Sequence, residues 1–167
     1  MRSAMAVGVT VKPSASNADI RAAGRQFWIY EQNYVNGKYI VDKDRGISAL
    51  VFIEAPDADM ADLKAQILGI YFDGYSADMS EIDCDCCGSR WFRAEASTSS
   101  PEVFGFAVDG GYDHDGEHVA KSLEAMVRLG KLLPDPTAPL AYLHKADGTF
   151  EPFAHPKMQV LSEVSVS

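Results

Sequence analysis

Hydrophobic and polar positions divide the first third of the chain into segments typical of β-strands. Residues 26–35 and 38–41 are rich in aromatic and β-branched side chains, and Asn36-Gly37 lies between them. Both central residues of a tight type I′ turn need a positive φ, so Asn-Gly in this position predicts a β-hairpin. A turn over residues 42–46 leads into the nearly continuous apolar run 47–54, which is typical of a strand inside a sheet.

A first helix is predicted immediately after these strands. Asp57 is a suitable N-cap, and Asp59 would lie near the positive end of the helix dipole. The apolar positions that follow recur every three or four residues, which predicts one buried stripe. Its members are Met60, Leu63, Ile67 and either Ile70 or Tyr71.

A second helix is predicted to begin near Gly116, with Asp115 as its N-cap. Its predicted buried face consists of Val119, Leu123, Met126 and Val127. Gly130 is placed as the residue that follows the helix, because glycine readily adopts the left-handed conformation that ends many helices. Pro134 lies just beyond and cannot continue the helix.

The remaining segments predict short strands. These cover residues 91–94, residues 103–108, and a hairpin formed by residues 140–144 and 149–153 around a turn. The order of elements predicts an α+β fold with an antiparallel or mixed sheet and about two helices packed on one face. We expect a flexible leader over residues 1–25, a single α+β domain over 26–156, and a tail or edge strand over 157–167.

Composition and charge narrow the classes of function. The 167 residues include 47% hydrophobic and 23% charged residues, which is typical of one globular domain. A formal net charge of −9 disfavours direct binding to nucleic acid, although a basic protein partner fits it. No apolar run reaches the roughly 20 residues of a membrane span, and the leader lacks the apolar core of a signal peptide. We therefore expect a cytoplasmic protein that does not bind membranes.

Three cysteines lie within four residues, which is too close together to staple distant parts of a fold. Two of them have C-x-x-C spacing followed by Gly88, which suits half of a tetrahedral zinc site. The candidate ligands are Cys84, Cys86, Cys87 and His144, with His114 and His118 as an alternative second pair. The other interpretation is reduced thiols that pack as small hydrophobic groups. A redox role is disfavoured because Asp83 and Asp85 oppose thiolate formation.

The sequence contains none of the common catalytic motifs that would identify candidate catalytic residues. G-x-S-x-G, Walker A and H-E-x-x-H motifs do not occur, so we expect a protein that is not an enzyme. Aromatic side chains on the predicted first hairpin, and the Arg-Trp pair that follows the cysteines, are candidates for contacts with a partner. The predicted binding residues are Trp28, Tyr30, Arg90 and Trp91.

The cysteine turn belongs to a longer pattern, D-C-x-C-C-G-x-R-W over residues 83–91. Together with residues 26–33, residues 69–74, and His144 with Asp147-Gly148, it resembles a family of small proteins encoded by tailed bacteriophages whose function is uncharacterised. The resemblance spans about residues 26–153, and it implies a protein that acts in the cytoplasm of an infected bacterium. The leading hypothesis is a non-enzymatic accessory protein that binds a host or phage protein, countering host defence or modulating a host factor. The alternative is a virion or assembly component.

Overall fold

A mixed sheet forms the centre of the part of the chain that the computed structural model describes, residues 25–73, 88–108 and 116–153. Along the chain, the elements are β1 (Phe27–Glu31), a 3-10 turn (Val35–Gly37), β2 (Leu50–Glu54), α1 (Ala58–Leu68), β3 (Ser97–Thr98), β4 (Glu102–Val103), β5 (Phe106–Ala107), α2 (Gly116–Lys131), β6 (Ala141–His144) and β7 (Phe150–Phe153).

The main sheet has the strand order β3-β1-β2-β6-β7. β1 is antiparallel to both β2 and β3, β2 is parallel to β6, and β6 is antiparallel to β7. β4 and β5 form a separate antiparallel hairpin. β2 is therefore the central strand, which confirms the interior position predicted from its apolar sequence.

The two faces of the sheet pack against different helices. Because side chains alternate along a strand, Phe52 of β2 belongs to one hydrophobic core while Val51 and Ile53 belong to the other. α2 contributes Leu123 and Met126 to the first core. α1 contributes Ala61 and Ala65 to the second. The α+β class and the mixed sheet are confirmed, whereas the two helices pack on opposite faces and not on one.

The first predicted hairpin is wrong in its pairing, although its turn is right. Asn36 and Gly37 have φ values of 58° and 70°, as the sequence predicts for a turn at this position. β1, however, pairs with β2 and not with residues 38–41. The side-chain amide of Gln32 accepts a hydrogen bond from Ile40 N at 2.6 Å and donates one to Ile40 O at 3.0 Å. This amide satisfies the backbone groups that a paired strand would otherwise satisfy.

The starts of the helices match the sequence signals better than their ends. The Asp57 side chain accepts a hydrogen bond from Met60 N at 2.8 Å, which confirms the N-cap of α1. Gly69, with a φ of 108°, ends that helix. α2 extends through Lys131, so Gly130 lies inside the helix and does not follow it.

The short strands differ more from prediction. Residues 91–96 form no strand, and a turn at Phe104-Gly105 divides the predicted strand 103–108 into β4 and β5. The β6–β7 hairpin is confirmed, with Gly148 at a φ of 88° in its turn. Residues 1–24 of the predicted leader, Asp115 and the predicted tail over 157–167 lie outside the described residues, and the domain boundaries stay predictions.

Candidate functional site

Arg90 organises a buried polar centre beneath the loop that follows β1. Only 1% of its surface is exposed. Its guanidinium donates hydrogen bonds to Gln32 Oε1 at 3.1 Å, Lys38 O at 2.9 Å, Val35 O at 3.4 Å and the Tyr71 hydroxyl at 3.3 Å. A buried guanidinium is costly unless its donors are satisfied, and this set of acceptors offsets the desolvation.

The segment around Arg90 also fixes the end of β1. Arg90 O accepts a hydrogen bond from Asn33 N at 2.8 Å, and Ser89 O accepts one from Asn33 Nδ2 at 3.1 Å. These contacts hold the loop that presents Tyr34, whose ring stacks on Tyr39 with centroids 4.8 Å apart. The Arg-Trp part of the sequence motif therefore positions a loop that carries aromatic side chains.

The predicted binding residues lie mostly inside the protein. Tyr30, Arg90 and Trp91 are 1%, 1% and 3% exposed. Trp28 is half-buried, and its Nε1 donates to Ala55 O at 3.0 Å. Both Trp28 and Tyr30 point towards α1, where Trp91 also packs, because alternation along β1 places them on that face. Tyr30, Arg90 and Trp91 are therefore too deeply buried to contact a partner directly, and their role is structural. This corrects the prediction that these three side chains bind a partner.

The orientation of α1 follows from a buried carboxylate. Asp62 is only 8% exposed, and its Oδ1 accepts hydrogen bonds from the Tyr30 hydroxyl at 2.8 Å and from Ala94 N at 2.9 Å. Burial raises the pKa of Tyr30, and the hydrogen bond to Asp62 raises that pKa further. Ala61 and Ala65, both 0% exposed, are small enough to let the helix approach the sheet closely.

The apolar stripe of α1 consequently faces away from the sheet. Met60, Leu63 and Ile67 are 41%, 51% and 76% exposed, so the prediction that they form a buried stripe is wrong. Their spacing places them on one side of the helix, opposite Ala65. The sequence signal for this orientation is the second, small-residue stripe of Ala61, Asp62 and Ala65, which lies opposite the more hydrophobic one.

The predicted zinc ligands are described only in part. His144 is 6% exposed, and its Nε2 lies 2.7 Å from Gly46 O. A carbonyl oxygen only accepts, so Nε2 carries the proton and the free lone pair is on Nδ1. Burial lowers the pKa of His144, while the hydrogen bond to Gly46 O opposes that change.

The structure does not describe the other predicted zinc ligands. Cys84, Cys86, Cys87 and His114 lie outside the described residues, as does the side chain of His118. Within residues 25–73, 88–108 and 116–153, no three His, Cys, Asp or Glu side chains converge in a way that would hold a metal ion. The zinc site therefore stays a prediction.

Comparison with known proteins gives a family but no activity. A family model described as Domain of unknown function (DUF7296) matches residues 25–162. No curated protein and no solved structure matches the chain. Across the described residues, no helix has both the length and the apolar character needed to cross a bilayer.

Proposed function

We propose that this chain, which belongs to the family described as Domain of unknown function (DUF7296), is a non-enzymatic protein that binds another protein through the outward face of α1. The observation that carries the proposal is the exposed apolar stripe of Met60, Leu63 and Ile67. The opposite side of the same helix is already packed against the sheet, so rotating the helix cannot bury the stripe.

The spacing of the stripe suits a particular mode of recognition. Residues at positions i, i+3 and i+7 of a helix are the anchors that enter an apolar groove of a partner. Completely burying a side chain of this kind contributes about 1.5–3 kcal/mol. Ile67, at 76% exposure, has the most surface left to bury and is the expected principal anchor.

Charges around the stripe indicate the chemistry of the partner. Asp57 and Asp59 are exposed at the N-terminal end of α1. The Lys64 ammonium, by contrast, donates to Glu54 O at 2.9 Å and is held against the sheet. Because the whole chain has a net charge of −9, an apolar groove bordered by basic side chains would be complementary to this surface.

The biological setting of the proposal comes from the sequence resemblance. Similarity to small proteins of tailed bacteriophages supports an accessory role in the infected bacterium, where the partner is a host or phage protein. An acidic binding protein without a catalytic motif suits two such roles, which are countering a host defence and modulating a host factor.

A matched pair of substitutions tests the surface. Leu63 and Leu132 are 51% and 45% exposed, so Leu63→Ser and Leu132→Ser remove the same side chain from similarly exposed positions. Proteins enriched from bacterial lysate by the wild-type chain would be purified and titrated by calorimetry. We expect Kd to rise about tenfold or more for Leu63→Ser, and further for Leu63→Ser with Ile67→Ser.

The control for the change in Kd is Leu132→Ser. Leu132→Ser should leave Kd within about twofold of wild type, since Leu132 lies outside the stripe. A purified partner that binds the Leu63→Ser, Ile67→Ser variant as tightly as the wild-type chain would contradict the proposal.

A further inference from the structure

A groove of about 700 Å³ opens on the face of the sheet that carries α2. Its apolar lining includes Ile29 of β1, Leu50 of β2 and Leu129 of α2. These three side chains are partly buried and pack against the core beneath them. The groove therefore has a preformed apolar floor, and its volume lies in the range of about 300–1,000 Å³ that ligand pockets occupy.

Aromatic rings surround this floor. The lining includes Tyr34, Tyr39, Phe92 and Phe104. Phe92 is 58% exposed and Phe104 is 44% exposed, so both rings offer much of their surface to solvent. Phe104 has a φ of 50°, a left-handed conformation that is unfavourable for a bulky residue. The tip of the β4–β5 hairpin thus holds an exposed ring at the groove at a conformational cost.

The charge of the groove is negative. Glu31 and Glu95 line it and are exposed, and within the described part of the chain neither carboxylate forms an ion pair. Arg93 also lines it, but its guanidinium lies 4.8 Å from the centre of the Phe72 ring and 3.5 Å from the Asp73 carboxylate. Burial raises the pKa of Tyr39, and the negative charge of Glu31 raises that pKa further.

We infer that this groove binds a peptide segment of a partner protein by receiving an arginine or lysine side chain. A cation is attracted to the faces of aromatic rings and pairs with carboxylates, and both are present around the same floor. The aliphatic stem of such a side chain would cover the apolar surface beneath. The volume is larger than a simple ammonium ion requires, which favours a peptide.

The groove is separate from the outward face of α1. It lies on the α2 side of the sheet, whereas α1 packs on the other side. Occupation of one surface leaves the other accessible, so the inference goes beyond the proposed function and can fail or succeed independently of it.

Two labelled peptides test the inference directly. The probe is a fluorescein-labelled alanine heptapeptide with arginine at its centre, and its match carries citrulline, which keeps the shape but lacks the charge. Fluorescence polarisation with the full chain should show binding of the arginine peptide, and at least about tenfold weaker binding of the citrulline peptide.

Substitutions then locate the site. Glu31→Gln with Glu95→Gln should weaken binding of the arginine peptide about tenfold. Glu117→Gln with Glu124→Gln makes the same change in net charge at exposed positions of α2 outside the groove and should change binding less than twofold. Phe104→Gly removes the ring while allowing the positive φ, so the fold should be retained while binding weakens.

Three results with the peptides and the glutamate variants would overturn the inference. The first is equal affinity for the arginine and citrulline peptides, and the second is no binding of the arginine peptide at millimolar concentration. The third is an equal loss of peptide affinity in the variant with Glu31→Gln and Glu95→Gln and in the variant with Glu117→Gln and Glu124→Gln. Leu63→Ser with Ile67→Ser should retain peptide binding, and loss there would also reject the groove as the site. Loss of the protein partner in that variant, with peptide binding intact, separates the two proposals.

Discussion

The hydroxyl of Tyr30 donates a 2.8 Å hydrogen bond to Oδ1 of Asp62 across the contact between β1 and α1. The same oxygen accepts the backbone N–H of Ala94 at 2.9 Å. One buried carboxylate oxygen thus joins the sheet, the helix and the segment that precedes β3. This arrangement determines which side of α1 faces the sheet, and so leaves its more hydrophobic side exposed.

Asp62→Ala should destabilise the fold strongly. The change leaves the Tyr30 hydroxyl and Ala94 N–H buried without this acceptor, and each unsatisfied donor costs about 1–3 kcal/mol. We expect the free energy of unfolding in urea to fall by about 2–5 kcal/mol. Asp59→Ala removes an exposed carboxylate from the same helix and should cost less than about 1 kcal/mol. Similar small losses for both variants would show that Asp62 does not orient α1.

Arg90→Lys should loosen the loop above the polar centre. Lysine cannot present the planar fork that reaches Gln32, Val35 and Lys38 together, so buried acceptors lose their donors. We expect a loss of about 2–4 kcal/mol in unfolding free energy, with faster hydrogen exchange at Ile40 N–H. Arg93→Lys, at a side chain that is 55% exposed, should cost less than about 1 kcal/mol. Unchanged exchange at Ile40 in Arg90→Lys would contradict this account.

Gly46→Ala should be more destabilising than Gly37→Ala. Both glycines have a φ near 70°, so both substitutions carry the backbone cost of about 1–2 kcal/mol. At Gly46 the new Cβ would also lie 2.7 Å from the Phe150 ring and 2.8 Å from the His144 ring, whereas at Gly37 nothing lies within 4 Å. Thermal unfolding should therefore give a clearly lower Tm for Gly46→Ala. Equal Tm values would mean that the rings move aside without cost.

Stability should fall as pH falls below about 6.5 because of His144. Burial holds its folded pKa below the usual 6.5, so in this range the unfolded chain binds a proton that the folded chain does not. The stabilising contribution is complete above 6.5 and declines as the pH moves down towards the folded pKa. Urea unfolding at pH 7.5 and 5.5 measures the loss.

The matched variant for this prediction is His144→Gln, which keeps an N–H donor near Gly46 O but does not titrate in this range. The difference in unfolding free energy between the two pH values should be smaller in His144→Gln than in the wild-type chain. An identical difference in both proteins would assign the pH dependence to other groups.

Local sequence signals predicted the elements whose stability is local. The Asp57 N-cap and the β6–β7 hairpin depend on residues within one segment, and the continuous apolar run of β2 predicts a buried strand without identifying its partners. Pairing was harder to predict, because Gln32 satisfies the backbone of Ile40 with a side chain and leaves β1 to pair with β2. No strand-pairing pattern in the sequence contains that information.

The candidate surfaces depend on contacts between distant segments. Periodicity identifies the stripe of α1 as apolar but wrongly predicts that it is buried, because periodicity alone does not reveal that Asp62 has partners at Tyr30 and Ala94. The groove combines side chains from β1, the segment before β3, the β4–β5 hairpin and α2. These segments come together only in the folded chain, so spacing in the sequence gives no signal for the groove.

The parallel pairing of β2 with β6 sets the order in which the protein can fold. Leu50 pairs with Ala141, so the central ladder joins residues 91 positions apart. Closing so long a loop costs entropy before any contact is gained, and folds dominated by such pairings form slowly. During synthesis, β1, β2 and α1 can associate early. The edge of β2 that pairs with β6 then stays unpaired until β6 has been made. We expect that unpaired edge to be the place where a partly made chain aggregates.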